Sequence, residues 1–218
     1  MPGQIAALLT SLSFLCSPLV FASGPGPAQG NDLQEVEASS FRTLSVLPDT
    51  SFRHYQSIVL SSMTVEFDRN WLTDQKLADP FRLKPADLDK ISRELEEEYR
   101  TIFAEALNAG GYSVVDTATE NTLLLNTQVS NFQLNNPVNN QPYSITVLAE
   151  TALRMNIMFE LVDAQSNVTL MQASDRGRSR DYMEFRRQSV VQNRSEIRRL
   201  LKRWSLRLVA TLNEQRPL

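Results

Sequence analysis

The sequence has little of the two residue types on which most metal sites and nucleophilic sites depend. Its 218 residues include one cysteine, Cys16, and one histidine, His54. A structural zinc site built from Cys and His ligands is therefore excluded, and a Ser-His-Asp triad would have only His54 to use. Because His54 stands beside Arg53 and Tyr55 just before a predicted strand, we interpret it as a strand-edge residue rather than a general base.

Glycine is also scarce, with seven in the chain, and none of them belongs to a phosphate-binding loop. Residues 108–111 read Asn-Ala-Gly-Gly and end a predicted helix, where glycine serves as a cap. The Gly-x-Ser-x-Gly turn of serine hydrolases does not occur. The sequence therefore predicts no cofactor, no metal and no catalytic residue, and we expect the protein not to be an enzyme.

The N-terminal residues look like a signal peptide. Residues 5–22 carry no charge and are almost all apolar or small, Pro18 interrupts them, and Gly24 soon follows. We expect cleavage after Ala22, which gives a signal peptide at 1–22, a flexible tether at 23–40 and one domain at 41–218. A retained transmembrane helix is the weaker alternative. No Lys or Arg precedes the apolar run, which counts against export unless the start codon is misplaced.

This segment also predicts a compartment. Leu15, rather than a small residue, precedes Cys16, so lipidation at that cysteine is disfavoured. Without residues 1–22 the mature chain has no thiol and no disulfide. We expect a periplasmic or secreted protein with no transmembrane span, and we leave association with the outer membrane open.

The stretch at 144–163 organises the rest of the chain. Its odd positions are mostly apolar and its even positions mostly polar, which is the period of a strand with one buried face. At about 3.3 Å per residue such a strand would span roughly 60 Å, so we expect a bend or bulge within it. We expect Leu153, Ile157 and Phe159 to form the core with residues of two helices.

Other patterns complete the predicted architecture. Strands are predicted at 57–67, 112–116, 122–135 and 168–180. Helices are predicted from Pro85 to Gly110 and from Asn193 to Leu212. Residues 41–55 are interpreted as an irregular arm and residues 68–84 as a loop. The predicted fold class is α+β: a two-layer sandwich with a mainly antiparallel sheet of about five strands, two helices on one face, and the order β-α-β-β-β-β-α.

Several short runs resemble a known family. The runs that carry the resemblance are Tyr55-Gln-Ser-Ile-Val-Leu, Met63-Thr-Val-Glu-Phe, the segment 106–116, Leu123-Leu-Leu and Leu161-Val-Asp. Together they resemble the bacterial envelope proteins, mostly lipoproteins, of domain of unknown function 3313 (DUF3313), over residues 41–218. The resemblance implies an exported protein with no assigned catalytic residues. Many members carry a lipidated cysteine that this chain lacks, so membrane anchoring does not carry over.

Charge is unevenly distributed along the chain. Residues 176–218 contain 12 basic and 4 acidic residues, although the whole chain has a net charge of −3. Arg176, Arg178 and Arg180 alternate, so one side of a strand should carry all three, on the polar face with Arg154 and Glu160. Two interpretations remain: a solubilising face with cross-strand pairing, modestly favoured, or an anion-binding patch for acidic lipid, glycan or a partner protein.

Two functions from different classes fit these observations. The first is a non-catalytic binding or assembly module of the bacterial envelope, whose partner is an envelope protein or an anionic lipid or glycan. In this hypothesis the contact is made by the three arginines, flanked by Leu148, Met158 and Leu170. The alternative is a small envelope hydrolase that uses carboxylates near the end of the sheet. Its candidate residues are Asp68, Asp74, Asp79 and Asp116. Nucleic acid is not an expected partner, because the overall charge is negative.

Overall fold

In a computed structural model of the chain, the structure describes residues 32–37, 40–78, 83–134, 148–149, 153–179, 186–187 and 190–215. The predicted signal peptide and Arg180 lie outside these ranges. Among the described residues, no helix is both long and apolar enough to cross a membrane.

The described residues form three helices and nine strands. The strands are β1 Gln34–Glu35, β2 Thr43–Val46, β3 Ser57–Phe67, β4 Ser113–Val114, β5 Thr122–Leu134, β6 Leu148–Ala149, β7 Leu153–Asp163, β8 Thr169–Arg178 and β9 Arg186–Arg187. The helices are α1 Arg69–Ala78, α2 Pro85–Ala109 and α3 Val190–Glu214. The α+β class is confirmed, whereas the predicted numbers of strands and helices are too low.

Seven of the strands form one sheet in the order β1-β2-β8-β7-β5-β3-β4. All neighbours are antiparallel except that β3 runs parallel to both β5 and β4, because α1 and α2 cross over between β3 and the later strands. The mainly antiparallel sheet is as predicted. β6 and β9 form a separate two-stranded ribbon, so the stretch at 144–163 contributes to two sheets.

Two segments predicted to be irregular are ordered elements. Residues 43–46, within the predicted arm, form β2 and pair with β8. Part of the predicted loop at 68–84 forms α1. The Asp68 carboxylate caps this helix, because it accepts a hydrogen bond from the backbone N–H of Trp71 at 2.8 Å. Trp71 then stacks on Phe67, with ring centroids 6.0 Å apart. Within the predicted tether, residues 34–35 pair with β2.

A register shift in β3 changes which side chains face the core. The pairing with β5 shifts between Leu60 and Met63, so Ile58 and Leu60 face inward before the shift, and Met63 faces inward after it. If the alternation continued unbroken through β3, Val59 and Met63 would lie on the same face of the sheet. They do not, because the extra residue of the bulge reverses the alternation.

The helices α2 and α3 pack on one face of the sheet, as predicted. The Tyr99 hydroxyl on α2 lies 2.8 Å from the Thr127 hydroxyl on β5. Phe159 of β7 is fully buried, and its ring contacts Phe41 and Phe103 at centroid distances of 5.9 and 5.4 Å. The predicted core residues on β7 and on both helices are all buried in a single cluster.

The start of α3 differs from its prediction. Asn193 and Glu196 resemble a capping box, but the helix begins three residues earlier, at Val190. Glu196 instead binds Arg199, one turn further along, at 2.7 Å. The pairing partner of Glu196 is therefore a side chain rather than the backbone of the helix start.

One aromatic side chain fixes α3 over β8. Trp204 donates its indole hydrogen to Asp175 at 2.7 Å, and Arg207 donates to the same carboxylate oxygen at 2.8 Å. The indole rests on Gly177, where a Cβ atom would lie 2.7 Å from two ring carbons. Asp175 and Gly177 therefore both face the helices.

We expect Gly177→Ala to lower the free energy of unfolding by about 1–3 kcal/mol, because the added methyl would displace Trp204 from β8. Alanine otherwise suits a strand better than glycine does, so this sign depends on the indole contact. Ser174→Ala, on the outward side of the same strand, is the control; it removes an exposed hydrogen bond to Thr43 and should cost less than about 1 kcal/mol. Urea unfolding measures both, and equal effects would contradict the seating of Trp204.

The turn after β7 is organised by one carboxylate. Asp163 accepts hydrogen bonds from the backbone amides of Gln165 and Ser166, and from the Tyr55 hydroxyl at 2.5 Å. Burial alone would raise the pKa of Asp163, but these bonds outweigh it, and its pKa lies below the ordinary value. Burial and the same carboxylate raise the pKa of Tyr55, which remains a neutral donor.

This arrangement predicts an acid-sensitive contribution to stability. A carboxyl group with a lowered native pKa stabilises the fold above its unfolded pKa of about 3.9, and that contribution is lost as pH falls through the native pKa. Asp163→Asn should therefore destabilise the protein near pH 7 and much less at about pH 2. Urea titrations at both pH values test this, and an equal cost at both would contradict it.

Candidate functional site

The face of the sheet opposite the helices carries the candidate site. Because Asp175 and Gly177 face inward, Arg176 and Arg178 face outward, and both are exposed. Arg178 pairs with Arg154, and Arg176 pairs with Asn156, across the β7–β8 register. The structure thus places Arg176 and Arg178 on one face with Arg154, as the alternation predicts. Arg180, the third predicted residue, lies outside the described residues.

The pairing of Arg154 with Arg178 brings like charges together. Residues directly opposite in an antiparallel pair have Cβ atoms about 5 Å apart, and like charges in that position destabilise the sheet. In the described part of the chain, neither Arg154 nor Arg176 forms a salt bridge. An anion bound beside Arg154 and Arg176 would accept charge-assisted hydrogen bonds from both guanidinium groups.

Glu160 lies on the same face as the arginines but far from them along β7, and Glu150, predicted on that face too, lies outside the described residues. The Glu160 carboxylate accepts hydrogen bonds from Asn126 at 3.1 Å, Thr169 at 3.0 Å and Gln172 at 3.3 Å. Six residues of β7 separate Glu160 from Arg154, which is about 20 Å of strand. The acidic and basic ends of this face are therefore separate.

The arginines border a hollow in the outer face with a volume of about 670 Å³. We call it the arginine hollow, and it is lined by Asp68, Asn131, Gln133, Arg154, Met155, Asn156, Arg176, Gly177 and Arg178. Its volume is within the range of small-molecule sites. Most of its side chains are polar, and three of them are arginines.

Asn131 reaches the hollow because of a bulge in β5. The pairing with β7 shifts between Ser130 and Gln133, and Asn131 has a positive φ of 50°. Asparagine tolerates this left-handed conformation better than most residues do. Bulges commonly redirect side chains beside functional sites. The sequence analysis missed Asn131 and Gln133, although a polar residue that breaks the alternation before Phe132 is a signal of a bulge.

Among the described residues that line the hollow, Asp68 is the one carboxylate. One of its oxygens caps α1, and its own amide donates to the Phe132 carbonyl at 3.0 Å. The side chain is therefore fixed between the end of β3 and the start of α1. The hollow has arginine at one side and a carboxylate with two amide side chains at the other.

Two of the carboxylates proposed for a hydrolase, Asp68 and Asp116, lie far apart. Val114, just before Asp116, pairs with Ile58 at one end of β3, whereas Asp68 follows the other end. About 30 Å of strand lies between these ends. Asp74 is exposed on α1, and Asp79 lies outside the described residues. In the described ranges, no cluster of three His, Cys, Asp or Glu residues could hold a metal.

The other residues of the predicted surface differ in exposure. Met158 is 40% exposed on the outer face, whereas Leu170 is 6% exposed and belongs to the core. The side chain of Leu148 is not among those described. His54 is exposed, with its ring 4.0 Å from that of Tyr55. Of the three apolar residues expected beside the arginines, Met158 is the one that the structure places at the surface of this face.

A second concavity, of about 590 Å³, lies between α2 and α3. Its lining is mainly apolar and includes the exposed Leu206, with Arg198 and Arg199 at the edge. Arg198 binds Glu98, and Arg199 binds Glu196. Both arginines are therefore paired with carboxylates of the helices.

No protein-family model matches the chain, and no curated protein matches it. The resemblance to DUF3313 is therefore not confirmed. Several solved bacterial structures share part of the fold. The PelC dodecamer from Paraburkholderia phytofirmans is 12% identical, with 76% of this chain and 97% of that one covered, at a TM-score of 0.43.

Two further structures give similar values. A DUF330 protein from Xanthomonas campestris is 14% identical over 76% of this chain and 88% of its own, with a TM-score of 0.42. A minor lipoprotein from Acinetobacter baumannii is 14% identical over 74% and 93%, with a TM-score of 0.32. At these scores the likenesses do not assign the chain to a family.

The bulge predicts an unusual pair of mutational effects. Asn131→Ala should destabilise the protein by about 1–2 kcal/mol, because a left-handed backbone is costly for alanine. Asn131→Gly should cost nothing or stabilise the protein, because glycine adopts a positive φ freely. Thermal and urea unfolding of both variants test this. A glycine variant as unstable as the alanine variant would mean that the amide contacts, rather than the backbone, hold the bulge.

Proposed function

We propose that the protein is a non-catalytic binding module of the bacterial cell envelope that holds an anionic ligand in the arginine hollow. The observation that carries the proposal is the convergence of Arg154, Arg176 and Arg178 from two adjacent strands on one concave surface. Guanidinium groups donate paired hydrogen bonds to carboxylates and phosphates.

The electrostatic balance of the hollow supports ligand binding. Among the described residues that line the hollow, three are arginines and one is a carboxylate, Asp68, that already accepts a backbone hydrogen bond. Arg154 and Arg178 are brought together by the backbone pairing of β7 with β8. An anion bound beside Arg154 and Arg176 would accept hydrogen bonds from both guanidinium groups.

A binding role accounts for these groups better than catalysis does. Arginine does not exchange its proton at ordinary pH, so it cannot serve as a general acid or base. In the part of the chain that the structure describes, Asp68 is the only carboxylate that lines the hollow, and capping α1 occupies one of its oxygens. No observation on the described residues favours the alternative hydrolase.

The cell-envelope location rests on the N-terminal sequence. Residues 5–22 are apolar and uncharged, as in the central region of a secretory signal peptide. After removal of that segment the chain contains no cysteine, so its folding in an oxidising compartment does not depend on disulfide bonds. An exposed binding face on a small exported domain is consistent with contact to anionic components of the envelope.

The test is anion binding to a variant in which Arg154, Arg176 and Arg178 are all changed to Gln. Citrate and inorganic phosphate should bind the wild type at low ionic strength and shift the backbone amide resonances around Arg154 and Arg176. The triple variant should bind at least about tenfold more weakly, because each charged hydrogen bond contributes about 1.5–3 kcal/mol. Added salt should weaken binding to the wild type.

The matched control changes Lys76, Lys90 and Arg93 to Gln. These exposed residues lie on α1 and α2, and their replacement removes the same net charge. This variant should bind both anions as the wild type does. Equal weakening in the two variants, or no anion binding by the wild type, would overturn the proposed function.

A further inference from the structure

The arginine hollow is chemically two-sided, and this property restricts its ligand. We infer that it binds an acidic sugar, in which a carboxylate and several hydroxyl groups lie on one ring, such as a uronic acid unit of a polysaccharide. The inference rests on the proposed function and names the class of ligand. It follows from the order of side chains across three strands.

The side chains change character from β5 to β8. Register places Gln133 beside Arg154, and Arg154 beside Arg178, in one row across the sheet. In the next row Asn156 of β7 lies beside Arg176. Adjacent strands are about 4.8 Å apart, so about 10 Å separates the amide side on β5 from the arginine side on β8. A ligand that contacts both Gln133 and Arg178 must therefore span this distance.

The amide side is suited to hydroxyl groups. Asn131 and Gln133 each offer two N–H donors and a carbonyl acceptor, and a hydroxyl group both donates and accepts. Asp68, at the same side, accepts hydrogen bonds and repels anions. A ligand that extends over this side must therefore place hydroxyl groups there and its negative charge over the arginines.

The same argument disfavours other anionic ligands. A polyphosphate or a densely sulfated chain carries charge along its whole length and would bring part of it against Asp68. A peptide partner usually needs apolar anchors in pockets, and the lining side chains here are almost all polar. The surface of a bilayer is too flat to enter a hollow in a sheet. Of these ligand classes, the acidic sugar satisfies both sides.

Two conservative variants separate the sides experimentally. Asp68→Asn removes the charge and keeps a side chain that caps helices as well as Asp does. It should leave binding of trigalacturonate within about twofold of the wild type, because a neutral carbonyl still accepts from a hydroxyl group. It should strengthen binding of tripolyphosphate by about fivefold, because the repulsion is gone.

The second variant combines Asn131→Gly with Gln133→Ala and removes both amides while preserving the backbone of the bulge. Trigalacturonate should bind it about tenfold more weakly, whereas citrate affinity should change by less than about twofold. Calorimetric titration of the full chain with trigalacturonate, neutral maltotriose, tripolyphosphate and citrate provides the measurements. Maltotriose should bind far more weakly than trigalacturonate, since it lacks the carboxylates.

The possible outcomes distinguish the inference from the proposed function. If citrate binds through the arginines and trigalacturonate binds no more tightly than citrate, the inference is wrong and the proposed function stands. If trigalacturonate binding is unaffected by loss of the two amides, the inference is also wrong, because the amide side is not used. If no anion binds in an arginine-dependent manner, both are overturned.

Discussion

The contact of Trp204 with β8 is the constraint on which the rest of the structure depends. The indole occupies the space above Gly177 and donates a hydrogen bond to Asp175. Gly177 and Asp175 must therefore face the helices. The period of a strand then directs Arg176 and Arg178 to the opposite face. A packing interaction on one side of the sheet thereby decides which charges are available on the other.

The basic residues near the C-terminus divide into two groups that a count of charges cannot separate. On α3, Arg207 binds the inward carboxylate of Asp175, and Arg198 binds the nearly buried Glu98 of α2. These arginines hold the helices to each other and to the sheet. Those on β8 face solvent across from Arg154. Arginines of α3 therefore stabilise the packing of the fold, whereas arginines of β8 form part of an exposed charged surface.

Sequence periodicity predicts an element and its buried face correctly where that element is regular and has one buried face. It correctly gives α2 between Pro85 and Gly110, the long β5, and the shared face of Arg176 and Arg178. It fails where the outcome depends on distant partners. The bulge that reverses β3 near Leu60 and the one that exposes Asn131 appear as shifts in the pairing with other strands, and the position of such a shift depends on a partner that is distant in the sequence.

The place of β2 in the sheet has a consequence for the order of folding. Thr43 pairs with Ser174, 131 residues later in the chain, so the N-terminal strand cannot be added until almost the whole domain has been synthesised. Closing so long a loop is entropically costly and slows this step relative to the neighbouring hairpin of β7 and β8. Until then β8 presents an open edge of unpaired peptide groups. A nascent chain would expose that edge to other polypeptides for longest, and β2 is the segment that finally covers it.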